Sequence, residues 1–207
     1  LVSGATVLFC VGLADDLAGV GYRIKFLAQL LSAALLLCSG VWIDNLDGLF
    51  GLHHVPTAVG ALLTVLVVVL LTNAYNLIDG IDGLCSGLSI LALFTFGVWF
   101  LTHHIYVSDD VDGNGVFLGI VFIPAFDTVR VFCVRMAAGL SPFYPDRRHI
   151  HHKLLRIGLT HLQGTLVIVV LQACFILLNF LLRNVNINLL FGINLVLGVL
   201  LIQGLNA

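Results

Sequence analysis

Long uninterrupted runs of apolar residues constrain this chain more than any other feature. A helix needs about 20 mostly apolar residues to cross a bilayer, and such runs recur along the 207 residues. Only 10% of the residues are charged, against about 25% in soluble domains. We therefore predict an all-α, polytopic membrane protein with about seven transmembrane helices. The predicted spans are 1–13, 25–41, 57–74, 84–102, 115–135, 164–182 and 187–205.

The basic residues fall almost entirely on one side of these spans. If the connections alternate between two sides, only Arg183 lies away from the side that carries the other eight. Lysine and arginine accumulate in cytoplasmic loops, so we predict that this side is cytoplasmic. The eight residues are Arg23, Lys25, Arg130, Arg135, Arg147, Arg148, Lys153 and Arg156.

The most polar short segment is the block from Asn73 to Leu84, which separates two apolar runs. It reads NAYNLIDGIDGL, with an amide or carboxylate at every third position. Residues three apart are neighbours on a helix. Gly80 and Gly83, however, predict that the helix ends within the block. A loop would then carry the second carboxylate. Such polar groups at a membrane helix are costly unless they are used. The four polar positions are Asn73, Asn76, Asp79 and Asp82.

Two adjacent carboxylates, Asp15 and Asp16, end the first span. Neighbouring carboxylates repel each other unless a cation lies between or near them. Hard oxygen ligands of this kind suit Mg²⁺ or Mn²⁺. A solvated helix end is the alternative interpretation. Arg23 and Lys25, which follow, are interpreted as positive-inside anchors.

A cationic loop follows the fifth span and contains the segment RRHIHHK. Arginine forks and imidazole donors suit phosphate oxygens. Attraction to anionic lipid and a zinc site made by the histidines remain as alternatives, although adjacent cations oppose a metal ion. The proposed phosphate-binding residues are Arg147, Arg148, His149, His151 and His152.

Two further patterns concern local structure. Asp127 and Arg130 lie three residues apart within the fifth span, so they can form an ion pair that lowers the cost of both charges in the membrane. The segment from Asp44 to Pro56 is rich in Asx and Gly residues, which favour chain reversal and predict a short hairpin.

Three blocks together resemble the polyprenyl-phosphate N-acetylhexosamine-1-phosphate transferase family, in its bacterial undecaprenyl-phosphate GlcNAc-1-phosphate transferase branch. Residues 12–16, GLADD, are similar to the aspartate-pair loop of that family. Residues 73–84 match its NxxNxxDGxDGL block. The third block begins with FDTVR at 126–130 and continues from Ser141 to the HIHH of residues 149–152.

The resemblance implies a reaction and its partners. A UDP-N-acetylhexosamine would give its sugar 1-phosphate to undecaprenyl or another polyprenyl phosphate, with release of UMP. This would be the first membrane step of cell-surface polysaccharide synthesis, at the cytoplasmic face of the bacterial inner membrane. Mg²⁺ or Mn²⁺ is the implied cofactor. A homodimer is left open, and no nucleic acid is expected.

The resemblance also implies roles for individual residues. Asp15 would position or deprotonate the acceptor phosphate, with Asp16 beside it as the second catalytic residue. The amide and carboxylate series from Asn73 to Asp82 would bind substrate, and the cationic loop would bind the diphosphate and sugar. The implied metal ligands are Asp16, Asp79 and Asp82.

The chain departs from the family pattern in two places. A cytoplasmic GDxGS loop that carries a metal ligand has no good copy, and Asp112 to Gly119 is only a faint echo of it. We infer that a helical hairpin is absent between His104 and Phe126, and that the first two family helices are absent as well. The single transmembrane domain of residues 1–207 is therefore interpreted as incomplete.

Two other functions compete with the transferase. One is a non-catalytic membrane remnant of the same family. The other is a divalent-cation transporter, which would place ionisable residues near the middle of its spans. Most ionisable residues here lie towards one face, beside arginines, which favours the transferase.

Overall fold

The computed structural model describes residues 2–102, 114–140 and 148–206. Within these ranges each of the seven predicted spans coincides with a long helix, and one short helix and a small hairpin are added. The elements are α1 Val2–Ala18, α2 Tyr22–Cys38, β1 Asn45–Leu49, β2 Leu52–His54, α3 Thr57–Ile78, α4 Leu84–Thr102, α5 Asn114–Ala137, α6 Ile150–Arg156, α7 His161–Leu181 and α8 Ile187–Gly204.

Four of the described helices, α3, α5, α7 and α8, are long and apolar enough to cross a membrane. The apolar part of α4, Leu84–Trp99, is shorter, and α1 and α2 have 17 residues each. The prediction of an all-α, polytopic membrane protein is confirmed. The chain divides into two compact units, Leu1–Asn73 and Ala74–Ala207, which are described separately. The interpretation as a single domain therefore stays a prediction.

In the first unit, α1 packs against α2 through a small-residue contact. A Cβ added at Gly4 would lie 3.0 Å from the carbonyl oxygen of Ser32, and the Ser32 hydroxyl donates to the Gly4 carbonyl at 3.0 Å. Small residues allow membrane helices to approach this closely. Side-chain amides join α2 to α3, because Gln29 and Asn73 donate to each other at 3.3 and 3.0 Å.

The predicted hairpin is present between α2 and α3. Strands β1 and β2 pair antiparallel, and Asp47, Gly48, Phe50 and Gly51 all have positive φ angles. Asp tolerates this backbone region better than most residues, and Gly adopts it freely. The prediction from Asx and Gly composition is therefore confirmed.

In the second unit, α7 packs against α4, α5 and α6. Gly119 of α5 allows a close approach to α7, since an added Cβ would lie 3.1 Å from the Phe175 carbonyl oxygen. Phe122 stacks on Phe175 with ring centroids 4.5 Å apart. Their rings lie in a buried apolar cluster that also contains Ile78, Ile81, Leu84, Leu88, Ile123, Ile150, Leu154 and Ile168.

The side-chain amide of Gln172 satisfies backbone hydrogen-bonding groups of α5 around Pro124. Proline has no N–H to donate to the carbonyl four residues earlier, which here belongs to Ile120. Gln172 of α7 donates to this carbonyl at 3.0 Å and also to the Gly119 carbonyl. Its own oxygen accepts the N–H of Ile123 at 3.2 Å. One buried side chain thus satisfies backbone groups that apolar surroundings would leave unpaired.

A second pair of amides joins α7 to α8. Asn179 and Asn194 donate to each other at 2.9 and 3.0 Å, and both are fully buried. Each also donates to a carbonyl of its own helix four residues back. Interhelical hydrogen bonds of this kind hold membrane helices together where hydrophobic burial provides little driving force.

Candidate functional site

The block from Asn73 to Leu84 ends one helix, makes a turn and starts the next. Helix α3 ends at Ile78, and α4 begins at Leu84. Gly83 has a φ angle of +76°, which favours glycine. The prediction that the helix stops inside the block is confirmed. Both carboxylates, Asp79 and Asp82, lie in the turn rather than only the second one.

The turn separates a buried face from an exposed one. Ile78, Ile81 and Leu84 are buried in the apolar cluster. The polar residues that alternate with them, Asn76, Asp79 and Asp82, are exposed. The apolar side chains of the block therefore anchor the turn in the core. The polar side chains, which follow the same three-residue spacing, lie at the surface of the turn.

The histidine segment forms the start of α6. His149 is the residue that precedes the helix, and both His149 and His151 are buried. Arg148 is exposed and His152 is half-buried. Of the four predicted phosphate-binding side chains that the structure describes, Arg148 and His152 are therefore the more accessible ones. Arg147 lies outside the described residues.

Asp127 of α5 holds the start of α6 in place. Its Oδ1 accepts from Arg130 Nη2 at 2.6 Å, and its Oδ2 lies 2.9 Å from His149 Nδ1 and accepts the Ile150 N–H at 3.1 Å. Arg130 also donates to the Arg148 carbonyl at 2.7 Å. The predicted Asp127–Arg130 ion pair is thus confirmed, and it belongs to a network that orients the histidine segment.

This network favours one tautomer of the His149 imidazole. With Asp127 ionised, Nδ1 of the imidazole carries the hydrogen and donates it to the carboxylate, since a carboxylate only accepts. The other ring nitrogen, Nε2, then has its lone pair available to accept a hydrogen bond. A carboxylate partner of this type fixes both the tautomer and the ring orientation of a histidine.

Gly80 and His151 bring the two motifs into direct contact. A Cβ added at Gly80 would lie 2.3 Å from His151 Nε2, so only glycine leaves room for the ring. The His151 ring also contacts the His152 ring, with centroids 4.1 Å apart and planes tilted by 48°. Two blocks separated by about 70 residues of sequence therefore meet at a single glycine.

Burial lowers the pKa of His151 from 6.5 to about 4, and the neighbouring His152 and His149 act in the same direction. The ring is therefore neutral at pH 7. Neither ring nitrogen has a hydrogen-bond partner among the described residues, although a buried polar group normally has one. His151 thus has an unused donor and an unused acceptor next to the Asp79–Gly83 turn.

The other end of the turn is attached to α7. The Thr165 hydroxyl donates to the Asp82 carbonyl oxygen at 2.9 Å. The Asp82 carboxylate lies 3.4 Å from His161 Nδ1, but both side chains are largely exposed. The backbone bond to Thr165 therefore positions the turn, while the exposed pair adds little.

The predicted aspartate pair lies in the first unit. Asp15 forms a 2.5 Å ion pair with Lys25 and accepts the Val20 N–H at 2.8 Å. The hydrogen bond from Lys25, followed by that from Val20, lowers the pKa of Asp15 below 3.8. Asp16 is exposed. Asn73 belongs to this unit as well, and its amide is engaged with Gln29 and with the Val69 carbonyl.

The described residues provide the right donor type for Mg²⁺ or Mn²⁺ but do not assemble a site. Such ions prefer several carboxylate or carbonyl oxygens in a compact arrangement. Among residues 2–102, 114–140 and 148–206, no group of three His, Cys, Asp or Glu side chains could hold a metal ion. Asp16, Asp79 and Asp82 stay predicted metal ligands, and no chemical step is derived from a metal here.

Two site features were not anticipated from sequence. Lys25 was interpreted as a membrane anchor, yet it pairs with Asp15. The sequence feature that could have indicated this pair is the position of Lys25, just beyond the short turn that follows the two aspartates. The role of Gly80 as the contact surface for His151 has no local signal, because glycine in a DG turn is already explained by backbone conformation.

Comparison with known proteins relates this chain to a family. The model of glycosyl transferase family 4 matches residues 1–126. A probable undecaprenyl-phosphate N-acetylglucosaminyl 1-phosphate transferase of Bacillus subtilis is 28% identical over 89% of this chain and 65% of its own length. The undecaprenyl-phosphate alpha-N-acetylglucosaminyl 1-phosphate transferase of Yersinia pestis is 26% identical over 82% of this chain and 61% of its own length.

A third relative is the decaprenyl-phosphate N-acetylglucosaminephosphotransferase of Mycobacterium tuberculosis, 27% identical over 81% of this chain and 59% of its own length. The chain thus spans about three fifths of the curated relatives it matches. The alignment with the B. subtilis protein has 234 positions, more than the 207 residues of the chain, so it contains gaps in this chain. No solved structure matches the chain significantly.

Proposed function

The chain belongs to glycosyl transferase family 4, and from this membership we propose that it transfers N-acetylhexosamine 1-phosphate from a UDP-sugar to polyprenyl phosphate. The names of its relatives support undecaprenyl or decaprenyl phosphate as acceptor and N-acetylglucosamine as the sugar. The observation that carries the proposal is the contact between Gly80 and His151. It joins the exposed carboxylate turn to the cationic histidine segment on one small surface.

In the proposed net reaction, an acceptor phosphate oxygen bonds to the phosphorus that carries the sugar. The bond from that phosphorus to the UMP oxygen breaks, and UMP leaves with its electron pair. Two anionic substrates must approach each other, so fixed positive charge is needed to offset their repulsion. Arg148 and His152 are the accessible groups of the histidine segment that supply hydrogen-bond donors for phosphate oxygens.

The buried members of the segment have a positioning role in this proposal. Asp127 and Arg130 fix His149 and the backbone of Arg148, so the donors are held in place before substrate binds. Preorganised donors stabilise developing charge without reorganisation at the moment of reaction. Neutral His151 can donate and accept one hydrogen bond each beside the Asp79–Gly83 turn.

Asp15 is proposed to position or deprotonate the acceptor phosphate, with Asp16 beside it. The hydrogen bond from Lys25 lowers the pKa of Asp15, which favours the ionised carboxylate but weakens it as a base, so it supports the positioning role more than the deprotonating one. Asn76, Asp79 and Asp82 are proposed to hold the nucleotide or a metal ion. Mg²⁺ or Mn²⁺, when bound, would neutralise phosphate charge.

The proposed location of the reaction rests on the charge distribution. If the spans alternate as predicted, eight of the nine basic residues lie on or near the side that carries the Asp15, Asp79 and His149 regions, and such a side would face the cytoplasm. We therefore propose a site at the cytoplasmic face of a bacterial inner membrane, in the first membrane step of cell-surface polysaccharide synthesis. Homodimer formation remains a separate proposal.

The experiment uses the purified chain in lipid nanodiscs with undecaprenyl phosphate, Mg²⁺ and radiolabelled UDP-GlcNAc. Lipid-linked radioactivity and an equal amount of released UMP are expected. Asp15→Asn and Asp79→Asn should each lower turnover at least a hundredfold. The matched control is Asp47→Asn, an exposed hairpin residue with positive φ, which asparagine also tolerates; its turnover should equal that of the parent.

Two outcomes would contradict the proposal. A folded chain without turnover would support the catalytically silent remnant. Divalent-cation flux into liposomes without sugar transfer would support the transporter. The structure gives no reason to favour the latter, because Asp127 and Arg130, the described ionisable pair inside span α5, are engaged with each other and with the histidine segment.

A further inference from the structure

A groove of about 630 Å³ lies between α5 and α8 in the second unit. Its volume falls in the range of about 300–1,000 Å³ that is typical of ligand sites. Leu195, Val199 and Ile202 form its wall on α8, at the spacing of one helix face. Val129 and Cys133 contribute the facing wall on α5. The middle of the groove is therefore apolar.

Cationic and amide groups line one end of this groove. Arg148 and Lys153 enter it from the segment around α6, and Arg130 enters from α5 near its C-terminal end. Gln203 and Asn206 lie at the C-terminal end of α8. The Lys153 ammonium donates to Asn206 Oδ1 at 2.6 Å, so the two sides of the groove are joined at its polar end.

Of the cations at this end, Arg130 is paired with the Asp127 carboxylate, which does not belong to the groove lining. None of its described lining residues is acidic. The nearby Asp127 carboxylate is buried and already accepts from Arg130, His149 and Ile150. Burial, followed by repulsion from Arg130, lowers the pKa of Lys153. An anion at this position would relieve the repulsion between the cations.

From this arrangement we propose that the α5–α8 groove binds one anionic membrane phospholipid, with its phosphate head group at Arg130 and Lys153 and an acyl chain along the apolar wall. The distance along α8 from Leu195 to Gln203 is about 12 Å at 1.5 Å per residue. The hydrocarbon of one leaflet is about 15 Å deep, half of a core of about 30 Å. The groove therefore matches one leaflet in depth.

The same features favour a resident phospholipid over the polyprenyl phosphate of the proposed reaction. A reacting phosphate needs a base or a metal-binding carboxylate beside it, and the described lining provides neither. The cations are instead held by hydrogen bonds to Asp127, to the Arg148 carbonyl and to Asn206. Such a site can bind an anionic head group, but it has no side chain that would take part in a reaction of the phosphate.

Native mass spectrometry of the full chain in detergent tests this proposal. Phosphatidylglycerol should give one saturable adduct, held at least tenfold more tightly than phosphatidylcholine. Lys153→Gln and Val199→Trp should each weaken this adduct at least tenfold, by removing charge and by filling the groove. The matched control is Val196→Trp, because Val196 is also exposed on α8 but does not line the groove.

Each other outcome overturns the proposal. Equal binding of both phospholipids would indicate ordinary lipid contact, and saturable binding of undecaprenyl phosphate alone would assign the groove to the acceptor. Displacement of the lipid by millimolar inorganic phosphate would indicate a simple anion site. The thermal stability of each variant without added lipid is measured alongside, so that misfolding is recognised. Because no sugar transfer is measured, the result is independent of the proposed function.

Discussion

The Oδ2 atom of Asp127 lies 2.9 Å from Nδ1 of His149, with both side chains almost completely buried. The contact connects a membrane helix, α5, to the residue that begins α6. The buried carboxylate of Asp127 therefore fixes the position of the first residues of α6.

Replacing Asp127 by asparagine should destabilise the protein by about 3–5 kcal/mol, the usual cost of removing one member of a buried ion pair. Arg130 would lose its counter-ion, and the His149 ring would lose a charged acceptor. Chemical denaturation in micelles measures the loss. Asp47→Asn serves as the control because it is exposed. Equal unfolding free energies of Asp127→Asn and the parent would contradict the conclusion that this carboxylate holds the start of α6 in place.

Replacing Gly80 by alanine should displace His151, because the new Cβ would lie 2.3 Å from its Nε2. We expect a lower melting temperature and, in the transferase assay, at least tenfold lower kcat. Truncation of the ring in the double variant Gly80→Ala/His151→Ala should restore stability relative to Gly80→Ala alone. Gly97→Ala is the control, since among the described residues nothing outside its own stretch of helix lies within 4 Å of an added Cβ. The contact is irrelevant if both glycine variants behave alike.

The repair of α5 by Gln172 predicts coupling between this residue and Pro124. Gln172→Leu should cost about 1–3 kcal/mol, because it leaves buried backbone groups unsatisfied. The cost should be smaller in a Pro124→Ala background, since the substituted residue brings an N–H that can donate to the Ile120 carbonyl. A double-mutant cycle of unfolding free energies measures the coupling. Strictly additive effects would rule out the proposed repair.

The pH dependence of stability should reflect His151. Its pKa is about 4 in the folded chain, against 6.5 ordinarily, so the unfolded chain binds more protons between these values. Stability should therefore be fully present above pH 6.5 and decrease as the pH falls towards 4. In His151→Leu this decrease should be smaller. Melting temperatures from about pH 4 to pH 8 test the prediction, and parallel profiles would contradict it.

The Lys25 ammonium should control the ionisation of Asp15. Its hydrogen bond is the main reason that the pKa of Asp15 lies below 3.8. If Asp15 acts as a base, Lys25→Met should move the acidic limb of the pH–rate profile to higher pH. Arg23→Met removes a cation from the same first turn of α2 and should leave that limb unchanged. An identical shift in both variants would point to general electrostatics instead of the 2.5 Å contact.

Local patterns predicted the elements that depend on neighbouring residues. The Asx and Gly content of residues 44–56 predicted the hairpin, and the glycines after Ile78 predicted the helix end. The three-residue spacing of Asp127 and Arg130 predicted their ion pair. These features follow from backbone conformation or from side chains within one helical turn, so the information lies within a few positions of sequence.

Contacts between distant segments were not predictable in this way. Gln172, Asn179 and Asn194 looked like isolated polar residues in apolar runs, and their partners are known only once α5, α7 and α8 pack together. The histidine segment was interpreted as one binding surface, but its members differ. Two of its histidines are buried, and Arg148 and His152 are accessible, because only one side of so short a segment can face away from α5.

The sequence alone determined that apolar runs cross a membrane and that their polar connections carry a transferase-like set of carboxylates, arginines and histidines. Hydrophobic length and local spacing are sufficient for that. Only the tertiary structure decided that His151 rests on Gly80, that Asp127 orients His149, and that α5 and α8 enclose a groove with a cationic end. These are contacts across many residues, and close packing of helices selects them.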